Sequence, residues 1–191
     1  MFIQTEATPN PQTLKFLPGR DVLGAGARDF PDRDSAAGSP LAQALFAVEG
    51  VERVFLGGDF LTVTKSAEED WAHLKPFVLG EIMEHFVAER PVLAAGGLSD
   101  GEDFEEQVYE GEAAEIVEQI KDLIETRVRP AVAQDGGDIV FHSWEHDTGV
   151  VRLHMRGSCA GCPSSAMTLK RGIENMLRHY VPEVNAVEPV M

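Results

Sequence analysis

Apolar residues recur along this chain at two periods, and the changes of period mark its elements. In the first half, Phe2 to Thr5 and Thr13 to Leu17 read as short strands separated by the turn Pro9-Asn10-Pro11. Ser39, as a cap, and Pro40, at the first helical position, open a short helix through Phe46. Val51 to Leu56 and Phe60 to Thr64, joined by Gly57-Gly58-Asp59, form a predicted hairpin. Trp71, Leu74, Val78, Ile82 and Phe86 then line one side of a helix that carries Pro76 near its start.

The second half has the clearer pattern. Ile116, Ile120, Leu123 or Ile124, and Val128 recur at helical spacing up to a glycine stop at Gly136-Gly137. Ile139, Phe141 and Ser143 face one way in a strand, and Asp147-Thr148-Gly149 turns the chain. In the return strand Val151, Leu153 and Met155 alternate with Arg152, His154 and Arg156. Leu169, Ile173, Met176 or Leu177, and Tyr180 make a second helical stripe, stopped at Val181-Pro182. A last strand over Val184 to Val190 completes an α-β-β-α-β order.

Residues 91–112 have neither period. They contain Asp100, Glu102, Asp103, Glu105, Glu106, Glu110 and Glu112, no Lys or Arg, and the pair Gly96-Gly97. Like charges repel along such a segment and glycine keeps it loose, so it reads as a flexible acidic linker. The expected architecture is two small α+β domains, residues 1–90 and 113–191, joined by that linker.

Composition narrows the function classes. With 191 residues, 43% of them hydrophobic, the chain can bury real cores. Its net charge of −16 repels phosphate backbones and anionic lipid, so neither nucleic acid nor a membrane surface is the expected partner. No stretch approaches the roughly 20 apolar residues that span a bilayer. Met1 to Glu6 lack a basic segment, an apolar segment and the arginines of a transit sequence, which predicts a cytoplasmic location. No serine-histidine-acid or paired-carboxylate arrangement stands out, so the chain reads as a binding protein and not an enzyme.

The candidate chemistry lies in Gly157-Ser158-Cys159-Ala160-Gly161-Cys162-Pro163-Ser164-Ser165, between a predicted strand and a predicted helix. Pro163 suits a first helical turn, which puts Cys162 at or beside the N-cap, where unpaired N–H groups and the helix dipole favour a thiolate. Soft thiolates suit iron-sulfur clusters and zinc, and a Cys-x-x-Cys pair can equally serve as a thioredoxin-like redox dithiol. Against the redox reading, the domain has too few strands for that fold and no aromatic residue precedes Cys159. An all-cysteine cluster or structural zinc site takes four ligands, and this chain has two cysteines. A two-fold homodimer in which each protomer contributes Cys159 and Cys162 supplies the other pair. His142, His154 and His179 invite a reading as extra ligands, but His142 and His154 fall on the strands' other face from the apolar set and read as solvated or supporting groups, and Trp144 reads as a packing or partner-contact residue. Arg156, Lys170 and Arg171 lie near the cysteine loop in sequence and read equally as groups that offset cluster charge or as ordinary surface residues.

The combination of RPAVAQDGGDI at residues 129–139 with GSCAGCPSS at 157–165 resembles the NifU-like C-terminal domain. TEATPNPQTLKFLPG at residues 5–19 is similar to the N-terminal domain that precedes it in Nfu proteins. The resemblance covers nearly the whole chain outside the linker. It implies an iron-sulfur cluster carrier, with Cys159 and Cys162 as ligands to a cluster, usually [4Fe-4S], shared by a homodimer. It further implies apo iron-sulfur client proteins and an upstream cluster donor as partners, the N-terminal domain serving recognition. A thiol-disulfide oxidoreductase is the alternative from another class.

Overall fold

The computed structural model of the chain describes residues 1–95, 107–160 and 163–190, the side chains of 163–165 excepted. The chain divides into two compact units, Met1–Gly101 and Glu102–Met191, each with its own core. Both are α+β.

In the first unit, β1 (Gln4–Ala7), β2 (Thr13–Leu17), β3 (Arg28–Phe30), β4 (Val51–Leu56) and β5 (Leu61–Lys65) form one antiparallel sheet in the order β1-β2-β5-β4-β3. Alternation sorts its two faces. Phe16, Val54, Leu56, Leu61 and Val63 meet α1 (Pro40–Ala47) and α2 (Trp71–Val87) through Leu41, Leu45, Leu74, Val78 and Ile82. Phe55, Thr62 and Lys15, neighbours across three strands, share the other face, with the Lys15 ammonium 4.6 Å from the Phe60 ring centre. Ser39 caps α1 by accepting from the Ala42 N–H at 3.1 Å, and its own hydroxyl donates to the Val92 carbonyl at 2.6 Å. The three-residue β3 and a 3₁₀ turn over Asp34–Gly38 have no apolar period and leave no mark in the pattern.

The turn before β2 is rigid for local reasons. The Thr8 hydroxyl shares its one proton between the carbonyls of Asn10 and Thr13, each 2.9 Å away, and the Asn10 side chain accepts from the Gln12 N–H at 3.0 Å. Asn10 is buried in consequence, and Trp71 donates its indole N–H to the Pro11 carbonyl at 3.3 Å.

In the second unit, α3 (Glu112–Leu123) passes through a π turn at Ile124–Val128 into α4 (Arg129–Gln134). The sequence read this as one helix; Pro130 has no N–H to give to the fourth carbonyl back, and the backbone widens, with Arg129 N–H reaching Ile124. β6 (Gly137–Glu145) and β7 (Val150–Gly157) pair antiparallel, α5 (Pro163–Tyr180) follows, and β8 (Ala186–Val190) returns parallel to β7. The α-β-β-α-β order is the one the pattern predicted.

Residues 96–106, the middle of the predicted linker, lie outside the described residues. Its described ends belong to the cores: Val92 and Leu93 pack on the first, Tyr109 on the second. The Tyr109 hydroxyl donates to Gln107 at 2.9 Å and accepts the Trp144 N–H of β6 at 2.8 Å. Among the described residues, no helix is long and apolar enough to cross a membrane.

His85 of α2 gives the first unit a pH dependence. The residue is 1% exposed, and neither ring nitrogen has a hydrogen bond of good geometry. Burial, and then the nearby Arg90 charge, push its pKa below 6.5, outweighing the weak opposite pull of the Pro91 and Arg90 backbone. The unfolded chain therefore takes up a proton near pH 6.5 that the folded chain refuses until lower pH. Stability from this group is full above pH 6.5 and is lost as pH falls toward the folded value. Urea unfolding of the first unit, followed by Trp71 fluorescence, should weaken on the acid side by up to about 1.4 kcal/mol per pH unit more than in His85→Leu. Parallel pH profiles for the two proteins would refute it.

Candidate metal centre

The cysteine loop is fixed by hairpin register. Between Phe141 and Ser143 the β6–β7 ladder has a bulge, with His142 the extra residue. Before the bulge Gly137 sits opposite Gly157; extending the register of Ser143 and Arg152 without it would put Gly137 opposite Ser158. The bulge also ends the simple alternation expected of β6, since Ser143 and its neighbour Trp144 are both buried. Two glycine turns thus lie side by side at one end of the sheet. Gly136, with φ of 78°, stops α4, and Gly157, with φ of 65°, ends β7.

Beyond Gly157 the loop is strapped to the end of α4. The Ser158 hydroxyl donates to the Asp135 carbonyl at 2.5 Å, its N–H to the Gly136 carbonyl at 3.2 Å, and the Ala160 N–H to Gly157 at 3.1 Å. Ser158 is 2% exposed. Cys159, 7% exposed, belongs to the second core with Ile139, Met155 and Ile173. A Cβ on Gly137 would stand 2.6 Å from the Cys159 Sγ and 2.9 Å from the Arg156 carbonyl. Glycine at 137 is therefore the seat of the sulfur. The pattern assigns both glycines to the helix stop; Gly136 does that, and Gly137 has this second task, which depends on the register that the bulge sets.

An ion pair clamps the same corner. The Arg129 guanidinium donates both Nε and Nη2 to the buried Asp138 carboxylate, at 2.8 and 3.0 Å, and Nη1 to Glu125 at 2.5 Å. These bonds, Asp138 first, raise the Arg129 pKa against the effect of its burial. Asp138 is the residue after Gly137, so the clamp joins α4 to the strand at the point where the sulfur rests.

Cys162 lies outside the described residues; Pro163, the next in sequence, begins α5. The histidines are not gathered at the cysteine. His154 alternates with Leu153 and Met155, so it faces away from the core that holds Cys159, with its ring 5.4 Å from that of His142. His179 is near the far end of α5, about 24 Å along the helix from Pro163 at 1.5 Å per residue. Trp144 is a packing residue, 2% exposed. Among the described residues no three His, Cys, Asp or Glu side chains converge. Among the described residues the loop's donor is one soft thiol, seated where a side chain would displace it, which fits a thiolate-bound cluster.

Two family models match: scaffold protein Nfu/NifU N terminal over residues 3–89, and NifU-like domain over residues 120–188. The chain is 49% identical over 188 residues to NifU-like protein 5, mitochondrial, of Arabidopsis thaliana, covering 98% of this chain and 67% of that protein. It is 51% identical over 192 residues to the NFU1 iron-sulfur cluster scaffold homolog, mitochondrial, of Drosophila virilis, covering 100% of this chain and 62% of that protein. The chain thus spans about two thirds of the length of these relatives. A solution structure of a NifU-like protein from Saccharomyces cerevisiae is similar at 30% identity and a TM-score of 0.44, over 49% of this chain and 84% of that one.

These relatives correct the location read from Met1 to Glu6. They are named mitochondrial, and the cytoplasmic expectation is overturned. A third of each relative lies outside the match, so the composition of six residues is no guide to a cellular address.

Two substitutions test the corner. Gly137→Ala should destabilise the second unit by about 1–3 kcal/mol through overpacking, read as urea unfolding by Trp144 fluorescence, and should raise the alkylation rate of the displaced Cys159. Arg129→Ala should cost about 3 kcal/mol, because the Asp138 charge is left buried without its partner. Wild-type stability and thiol reactivity in both would remove the corner from the account.

Proposed function

The chain belongs to the NifU-like family in its Nfu form, with both domains present, and from that premise we propose that it carries an iron-sulfur cluster as cargo for transfer to apo-proteins. The cluster, of the [4Fe-4S] type, is held between two copies of the chain by Cys159 and Cys162 of each. The observation that carries this reading is the Cys159 sulfur, seated on Gly137 at the junction of β7 and the loop leading to α5.

The roles follow from elementary chemistry. Cys159 donates a thiolate from a site that Gly137, Ser158 and the Arg129–Asp138 clamp hold in place. Cys162, next to Pro163, supplies the second thiolate of its protomer, where the start of α5 favours negative charge. Two thiolates per chain make association and loading one equilibrium, so the cargo leaves when the pair of chains separates or a client's thiolates compete. The first unit serves recognition of the client or donor, and the connecting segment keeps it close to the cargo. Nothing in this requires a catalytic side chain.

Anaerobic reconstitution tests the reading. Apo protein should run as a monomer and loaded protein as a dimer with one cluster per two chains, by iron and sulfide analysis and light scattering. Cys159→Ser and Cys162→Ser should each lose nearly all the iron-thiolate absorption, serine being a harder and far less acidic ligand. A loaded monomer would refute the shared site. Turnover of insulin disulfides above a simple dithiol control, insensitive to chelators, would favour the oxidoreductase instead.

A fragment of residues 108–191, which keeps Tyr109 and the whole second core, should load as the full chain does. It should transfer its cluster to an apo-target more slowly at matched cluster concentration. Equal transfer rates would remove the recognition role of the first unit.

A further inference from the structure

A groove in the first unit has no part in cluster holding. It is a cavity of about 440 Å³ between the end of α1 and the first half of α2. Val48, Leu74 and Phe77 supply apolar surface to it, and Glu49, Glu69 and Glu81 supply carboxylates. Leu74 is 3% exposed and forms the floor, while Phe77 is 67% exposed. A large aromatic ring left in water beside a cavity is the kind of apolar surface that marks a contact site.

The groove is a built feature. His73, Phe77 and Glu81 stand four residues apart along α2 and so share one face, about 12 Å long at 1.5 Å per residue. Glu69 lies against Gly50, whose φ is 95°; a Cβ there would be 2.5 Å from the Glu69 Cγ. The close approach holds this carboxylate at the wall beside Glu49, with Glu81 two helical turns beyond His73. Among the described residues none of the three carboxylates has an ion pair, although Glu84 on the same helix pairs with Arg90. The lining contains no Lys or Arg.

We propose that this groove docks a short amphipathic segment of a partner protein that presents a large apolar side chain between lysines or arginines. The apolar residue lies on Leu74 against Phe77, and the flanking cations meet Glu49 and Glu69 at one end and Glu81 at the other. Charge complementarity selects this occupant, since an acidic or purely apolar segment leaves three carboxylates facing it unmatched. The inference rests on the reading of the first unit as the recognition unit, and it gives that unit a surface and a partner chemistry. The rigid turn from Thr8 to Gln12 is a poorer candidate, because its polar groups are largely occupied by one another.

The test uses the full-length apo protein and a fluorescein-labelled peptide of leucine and lysine at helical spacing, with a leucine-glutamate analogue as control. Fluorescence anisotropy should show binding of the first peptide only. Backbone amide shifts should gather on residues 47–49 and 69–81. Phe77→Ala, and Glu49→Lys with Glu81→Lys, should each weaken binding about tenfold, whereas Glu115→Lys with Glu118→Lys, the same change of net charge on α3, should not. Shifts gathered elsewhere, equal binding by the groove variants, an equal loss from the α3 pair, or displacement of the peptide by an equal concentration of spermidine would overturn the proposal. Cluster loading, measured separately by absorption, should be unchanged in Phe77→Ala, so failure of the groove and failure of the carrier reading give different results.

Discussion

A sulfur atom occupies the place where a side chain would otherwise begin, and the second unit is arranged around that contact. Cys159 can rest on Gly137 only if the two hairpin strands meet in one register, and the bulge at His142 sets it. Strand pairing has a period of two, so a slip of one position would exchange the faces and remove the sulfur from its seat. The other features at this corner defend the same placement. Ser158 ties the loop to the end of α4, and the Arg129–Asp138 pair ties that helix to β6. Each interaction alone is modest; together they over-determine the position of one thiol.

The two units solve different problems. In the second, a buried ion pair and two glycine turns are spent on a single corner, and the rest is ordinary core. In the first, the five-stranded sheet and its helices build a stable body with no cysteine, and its polar turn at Thr8 to Thr13 is closed on itself by hydrogen bonds. Among the large apolar side chains that unit leaves in water are Phe2, Phe77 and Val87. A body of this kind has surface to offer and little chemistry.

Much of the architecture was legible because long apolar stripes report directly on helices and strands. Ile116 to Val128, Val151 to Met155 and Leu169 to Leu177 each keep their period, so the order of the second unit follows from the pattern, although Tyr180, expected to continue the last stripe, is exposed. Register did not follow, because a bulge shifts pairing without leaving a mark in polarity: His142 and Ser143 are both polar, yet Ser143 is buried. The π turn was hidden for a similar reason, as Ile124 and Val128 remain buried on either side of the widened backbone. β3 escaped notice because Arg-Asp-Phe has no room for alternation. At the site, the cysteines were visible as residue types with a spacing, whereas the role of Gly137 depends on a contact 22 positions away in the chain.

Tyr109 links this account to the behaviour of the sheet as a whole. β6 is an outer strand, and outer strands offer rows of unpaired N–H and C=O groups to any extended chain that comes alongside. The arriving polypeptide places a phenol oxygen on the Trp144 N–H, near the turn end of that strand. One rung of the exposed ladder is thereby taken by a side chain that cannot be extended into another strand. The stretch that leads into α3 in this way blunts an edge along which another extended chain would otherwise add.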